Sequence, residues 1–174
     1  MILKDGYKEQ FQRVLRYLDK VRDQDRGTLE YSDDIWAFFQ NCWHMKDWIK
    51  NDPMLPNSVK DNIEREVENY DSLMISADLT NRSKHLALTK NIRRDARISG
   101  IGGIIHAPPI VIHERLYSGE APPEKADLPR EIGFAEHPFF IETSDGKKVD
   151  GLSIAGQAVD DWKIIFQKFS LPWT

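Results

Sequence analysis

The stretch Ser32-Asp33-Asp34-Ile35-Trp36-Ala37-Phe38-Phe39-Gln40-Asn41-Cys42-Trp43-His44-Met45-Lys46-Asp47-Trp48-Ile49-Lys50 decides the fold class. Wound as a helix, Ile35, Phe38, Phe39, Cys42 and Ile49 cover one face, and Trp36 and Trp43 widen it. Ala37, Met45 and Trp48 lie round the back. A helix apolar on nearly every side must be covered by neighbours, so the spacing predicts the central helix of a bundle. Ser32 or Asp33 is placed to cap it, and Asn51-Asp52-Pro53 ends it.

Upstream, Tyr7, Phe11, Val14, Leu15, Leu18 and Val21 recur at helical spacing among polar residues, which predicts a surface helix with one buried stripe, stopped at Gly27. Downstream, Pro56-Asn57-Ser58 opens a third helix, with Ser58 and Asp61 near capping-box positions. Its stripe is Val59, Ile63, Val67 and Tyr70; Asp61, Glu64, Glu66 and Glu68 form a solvated acidic face. Asp71-Ser72 restarts the chain as a fourth helix through about Thr89, a break being preferred to one long bent helix.

After Lys90 the character changes. Gly100, Gly102, Gly103, Pro108 and Pro109 disfavour helix, while Ile101, Ile104, Ile105 and Ile110-Val111-Ile112 favour strands. Ser118 to Arg130 carries Pro122, Pro123 and Pro129 among mixed charges and reads as an exposed loop. Phe139-Phe140-Ile141 and Lys147-Lys148-Val149 are joined by Ser144-Asp145-Gly146, a hairpin signal. Ser153 is expected to cap a last helix bearing Ile154, Ala158, Trp162, Ile165 and Phe169, stopped by Leu171-Pro172. The expected fold is mainly α: a helical bundle of about four N-terminal helices plus a C-terminal helix, with a small antiparallel β section. Residues 1–174 form a single domain in this reading, with the bundle over 1–90, the β section and loop over 91–152, and the C-terminal helix over 153–170 packing on the bundle.

With 174 residues, 40% apolar and 30% charged, the chain falls in the ordinary globular class and is long enough for a sizeable core. No stretch approaches the roughly 20 consecutive apolar residues that span a bilayer, so no membrane association is expected. Met1 to Gly6 lack the long apolar region of a signal peptide, and the single cysteine, Cys42, excludes an internal disulfide framework. Both point to the cytoplasm. The net charge of -4 excludes coating of nucleic acid by bulk attraction and leaves only local patches.

Two segments put polar residues where the pattern predicts burial. Asn41, His44 and Trp48 share one side of the central helix. On the fourth helix Asp78, Asn81, Arg82 and His85 form a stripe between apolar rows, with Ser76, Thr80, Ser83 and Ala87 on the opposite face, expected toward solvent. Burying that many polar groups is costly unless they pair. The expected arrangement brings the two helices together, with His44 and His85 donating to Asp78 or accepting from Asn41 and Asn81. Such a network either fixes helix register or poises histidines as acids and bases. Two His and two Asp would also suit zinc or iron, but no H-E-x-x-H or Cys pair accompanies them, so neither metal nor cofactor is expected. Arg82, Lys84, Lys90, Arg93, Arg94 and Arg97 form the one local basic excess, a candidate phosphate-binding patch beside His85 or else a solvated helix end. Cys42, set among apolar residues, reads as an inert buried thiol.

Three stretches carry a resemblance: Asn41 to Trp48 as N-C-x-H-x-K-D-W, Asp78 to Leu86 as D-x-x-N-x-S-K-H-L, and Asp145 to Leu152 as D-G-x-x-x-D-x-L. In these the chain, over about residues 38–169, resembles a group of bacterial and phage proteins to which no activity is attached. More distantly it resembles the HEPN superfamily of helical bundles, many of them dimeric, metal-independent ribonucleases with an R-N-x-x-x-H helix motif. Asn81 and His85 match that motif, while Thr80 stands where the family has Arg. The family's Arg would orient the scissile phosphate and stabilise its charge. The resemblance therefore implies a homodimeric module that binds a nucleotide, RNA or a protein partner. The rival it implies is a metal-independent ribonuclease with His85 as general acid or base, tuned by His44 and Asp78.

Overall fold

The computed structural model of the chain describes residues 6–26, 28–83, 98–102, 139–143 and 147–174. The expectations for Gly27, for the loop from Ser118 to Arg130 and for the strand-like runs from Gly103 to Ile112 fall outside these residues.

The fold is mainly helical, as the periodicity predicts. Helix α1 spans Gly6–Asp23, α2 Leu29–Asn51, α3 Asn57–Lys60, α4 Ile63–Val67, α5 Asp71–Ser83 and α6 Gly151–Lys168. Strands β1 (Ile98–Gly102), β2 (Phe140–Thr143) and β3 (Lys148–Asp150) form one antiparallel sheet in that order. The pairings Phe140 with Asp150, Ile141 with Val149 and Glu142 with Lys148 are those of the expected hairpin. Among the described residues no helix is long and apolar enough to cross a membrane.

Helix α2 is the central one. It packs against α1, α5 and α6 and is flanked by the short α3 and α4. Ile35, Phe38, Phe39, Cys42, Met45 and Ile49 are all fully buried along its length. Between α1 and α6 the core is aromatic: Phe11 meets Phe166 edge-on at 4.8 Å, and Trp162 stacks on Phe166 at 5.8 Å. The sheet joins the bundle through Phe139, whose ring lies edge-on to Trp36 and stacks on Phe39. Gly151 opens α6 directly against that ring, where a Cβ would collide with Phe139, and its N–H donates to the Phe139 carbonyl at 2.9 Å.

Helix starts differ from expectation in two places. The cap of α2 is Thr28, whose hydroxyl accepts from the Tyr31 N–H at 3.0 Å, so the helix begins before Ser32 and Asp33, and Ser32 is buried within it. The cap of α6 is Asp150, which accepts from both the N–H and the hydroxyl of Ser153; Ser153 is the donor. In both cases an earlier residue with a suitable oxygen captures the free first-turn N–H groups. The expected third helix is two short ones, interrupted at Asp61-Asn62, where the Asn62 N–H reaches back only to the Val59 carbonyl. The expected break before Asp71 is present: the chain turns at Tyr70, whose carbonyl accepts from the N–H groups of Leu73 and Met74.

Candidate functional site

Helices α2 and α5 do lie together, and Thr80, a residue the spacing does not select, bonds across to α2. Ser72, Ser76 and Thr80 recur four apart and share the inward face of α5. Ser76 and Thr80 are fully buried, which corrects the expectation that they face solvent. The physical reason is local. Ser76 Oγ donates to the Ser72 carbonyl at 2.9 Å, and Thr80 Oγ1 to the Ser76 carbonyl at 2.8 Å, with the Phe39 carbonyl of α2 at 3.3 Å. A hydroxyl that bonds to the carbonyl four residues back satisfies itself within its own helix and can be buried at little cost.

The inward seam continues into α6. Ser72 Oγ donates to Asp161 Oδ2 at 2.5 Å, Gln157 Nε2 donates to Asp161 Oδ1 at 2.9 Å, and Trp162 Nε1 donates to the Cys42 carbonyl at 3.1 Å. Sequence reasoning misses Asp161, although a signal for it exists: it stands three residues after Ala158 and four before Ile165, a carboxylate on the apolar stripe of α6. Burial pushes the Cys42 thiol up to about 12; the polar groups of Ser76 and Trp162 beside it pull the other way and lose. A thiol held so far from ionisation is no nucleophile. The seam's hydroxyls and amides find their acceptors inside it, so its chemistry is that of helix registration.

The expected residues separate into three groups. Asn41 belongs to the contact between α1 and α2: Gln10 Nε2 donates to its carbonyl at 2.9 Å and to its Oδ1 at 3.2 Å, and its own Nδ2 donates to the Ala37 carbonyl. Trp48 is on the same side, with the Arg13 guanidinium over its ring. Asn41, expected as a donor to a histidine, thus stands on the side of α2 that meets α1, and its Nδ2 serves a carbonyl of its own helix.

His44, half-buried, follows Phe39 by five residues and so sits roughly 140° round α2 from the side that meets Thr80. Asp78 is 8% exposed and lies two residues beyond Ser76, roughly 160° round α5 from the inward seam. Asn81, half-buried, is one turn further along the same flank as Asp78. His44 and Asp78 both engage neighbouring groups. Three buried or half-buried polar side chains, His44, Asp78 and Asn81, thus stand on flanks of α2 and α5 turned away from the Ser76 and Thr80 seam.

The third group lies outside the described residues. It comprises His85, Lys84, Arg93, Arg94 and Arg97; of Arg82 only the backbone, in the last turn of α5, is described. Among the described residues no group of three His, Cys, Asp or Glu side chains converges to hold a metal ion. No protein family, no curated protein and no solved structure matches the chain.

Proposed function

We propose that this chain is a HEPN-like helical module that binds a phosphate-bearing ligand, RNA or a nucleotide, beside the C-terminal end of α5, as a homodimer in the cytoplasm. The observation that carries the reading is Asp78, a carboxylate 8% exposed on the flank of α5 roughly 160° from the Ser76 and Thr80 seam and shared with Asn81. A carboxylate is costly to remove from water unless it holds a partner, and Asp78 engages a neighbouring group, so in this reading it orients the flank rather than meeting phosphate itself. Asp78 shares its flank with Asn81, and His85 follows Asn81 by four residues in the motif. Arg82, Lys84, Arg93, Arg94 and Arg97, close by in sequence, supply the charge a phosphate needs. A lone, buried, reduced Cys42 fits a reducing compartment.

One observation weighs for binding over cleavage. Thr80, at the position where the HEPN motif has its Arg, is turned into the core and bonded to the Ser76 carbonyl. A phosphate at the end of α5 gains no cation from that position.

Fluorescence anisotropy with labelled RNA tests the reading, run at several salt concentrations, with and without chelator, beside a His85→Ala protein. The expected result is chelator-resistant binding without cleavage, weakening as salt rises. Arg93→Ala/Arg94→Ala should reduce the salt slope by roughly one unit for each phosphate that an arginine no longer neutralises. Chelator-resistant cleavage that His85→Ala abolishes would make the chain a ribonuclease. A folded protein with no affinity for RNA or nucleotide would sink the proposal and leave a protein partner to be sought.

A further inference from the structure

We draw no further inference here: the strongest candidate, the buried Tyr31 hydroxyl near the Arg26–Asp150 ion pair at the N-terminus of α6, carries nothing because Asp150 already takes the Arg26 guanidinium and the Ser153 N–H, its carboxylate would repel an anion, and nothing in the structure shows what ligand would enter.

Discussion

Gly6 opens α1 at φ +54°, a backbone conformation that L side chains rarely adopt, and a Cβ there would collide with the Asp52 carboxylate. That carboxylate is where it must be, because Asp52 Oδ2 accepts from the Tyr7 N–H at 3.2 Å and Oδ1 from the Met54 N–H at 2.9 Å. Asp52 thus caps a helix distant from it in sequence, and Gly6 is what lets it approach. Gly6→Ala should lower stability by about 1–3 kcal/mol, read as a shift of the urea midpoint; an unchanged midpoint would refute the close approach. Ser170 presents the reverse case. It sits at φ 54° just past α6, where the Leu171 N–H returns to the Phe166 carbonyl at 2.8 Å. Glycine relieves a left-handed residue of its strain, so Ser170→Gly should gain roughly 0.5–1 kcal/mol in the same measurement. Asp34 sets an acid dependence. Burial alone would raise its carboxyl, but hydrogen bonds from Lys20 at 2.9 Å and Gln24 at 2.7 Å outweigh burial and hold it below its usual range. A folded-state value below the unfolded one stabilises fully above the unfolded pKa of about 4 and is lost as pH falls through the folded value. Asp34→Asn should therefore melt with a shallower decline than the parent chain below about pH 4, and identical acid limbs would show that the Lys20 and Gln24 bonds do not matter in solution.

Each element is readable in the sequence to the extent that its polar groups need no partners from elsewhere. Helix α2 announces its central place because Phe38, Phe39, Trp43 and Met45 cannot all be hidden on one side. Helix α5 is recognisable as an element, and Asp78 is buried as its stripe predicts, but the face of Ser76 and Thr80, expected toward solvent, is buried too. It is buried on most of its described surface, so both faces turn inward, and hydroxyls that read as solvent-directed are not. Ser72, Ser76 and Thr80 are polar as residue types and nearly apolar in the helix, because each spends its proton on a carbonyl or on Asp161. The placement of Asn41 fails for a related reason: spacing puts it on the side of His44 and Trp48, but only tertiary packing says that α1, with Gln10 and Arg13, covers that side. The corrected face makes a quantitative claim. Ser72→Ala leaves Asp161 with Gln157 alone in a nearly dry site, which should cost about 1–3 kcal/mol by thermal or urea melting. Ser58→Ala, on an exposed position of α3, should stay within about 0.5 kcal/mol of the parent. Equal effects of the two would mean that the seam between α5 and α6 does not register the helices. Asp78→Ala belongs to the other flank and should also cost about 1–3 kcal/mol, so its effect on ligand affinity has meaning only beside its melting curve.

At the scale of the whole molecule the first helix and residues 172–174 close on one another. Tyr7 Oη donates to the Pro172 carbonyl at 2.7 Å, Gln12 Nε2 to the Trp173 carbonyl and Lys8 Nζ to the Thr174 carbonyl, so the first helix is clasped by the last residues. The bundle's centre is built the same way, since Ala155, Trp162, Ile165 and Phe166 reach full burial on a helix that packs against α1, α2 and α5, all far earlier in the sequence. Burying a large apolar side chain is worth roughly 1.5–3 kcal/mol, and a domain of this size is stable by only about 5–15 kcal/mol. Losing α6 therefore removes an amount comparable to the whole net stability, whatever the intrinsic helicity of α1 and α2. A polypeptide ending at Asp150 should lack a sigmoidal melt by circular dichroism, and adding a peptide of residues 151–174 should restore one. A cooperative transition in the fragment alone would mean that α1 to α5 form a core of their own and that the seam through Asp161 is an accessory contact. The same experiment separates the two uses of polar residues in this fold. If the restored complex regains RNA affinity together with its melt, the binding flank of α5 depends on an inward face that α6 holds in register; if affinity survives in a fragment without a melt, binding resides in charge alone and Asp78 has no part in it.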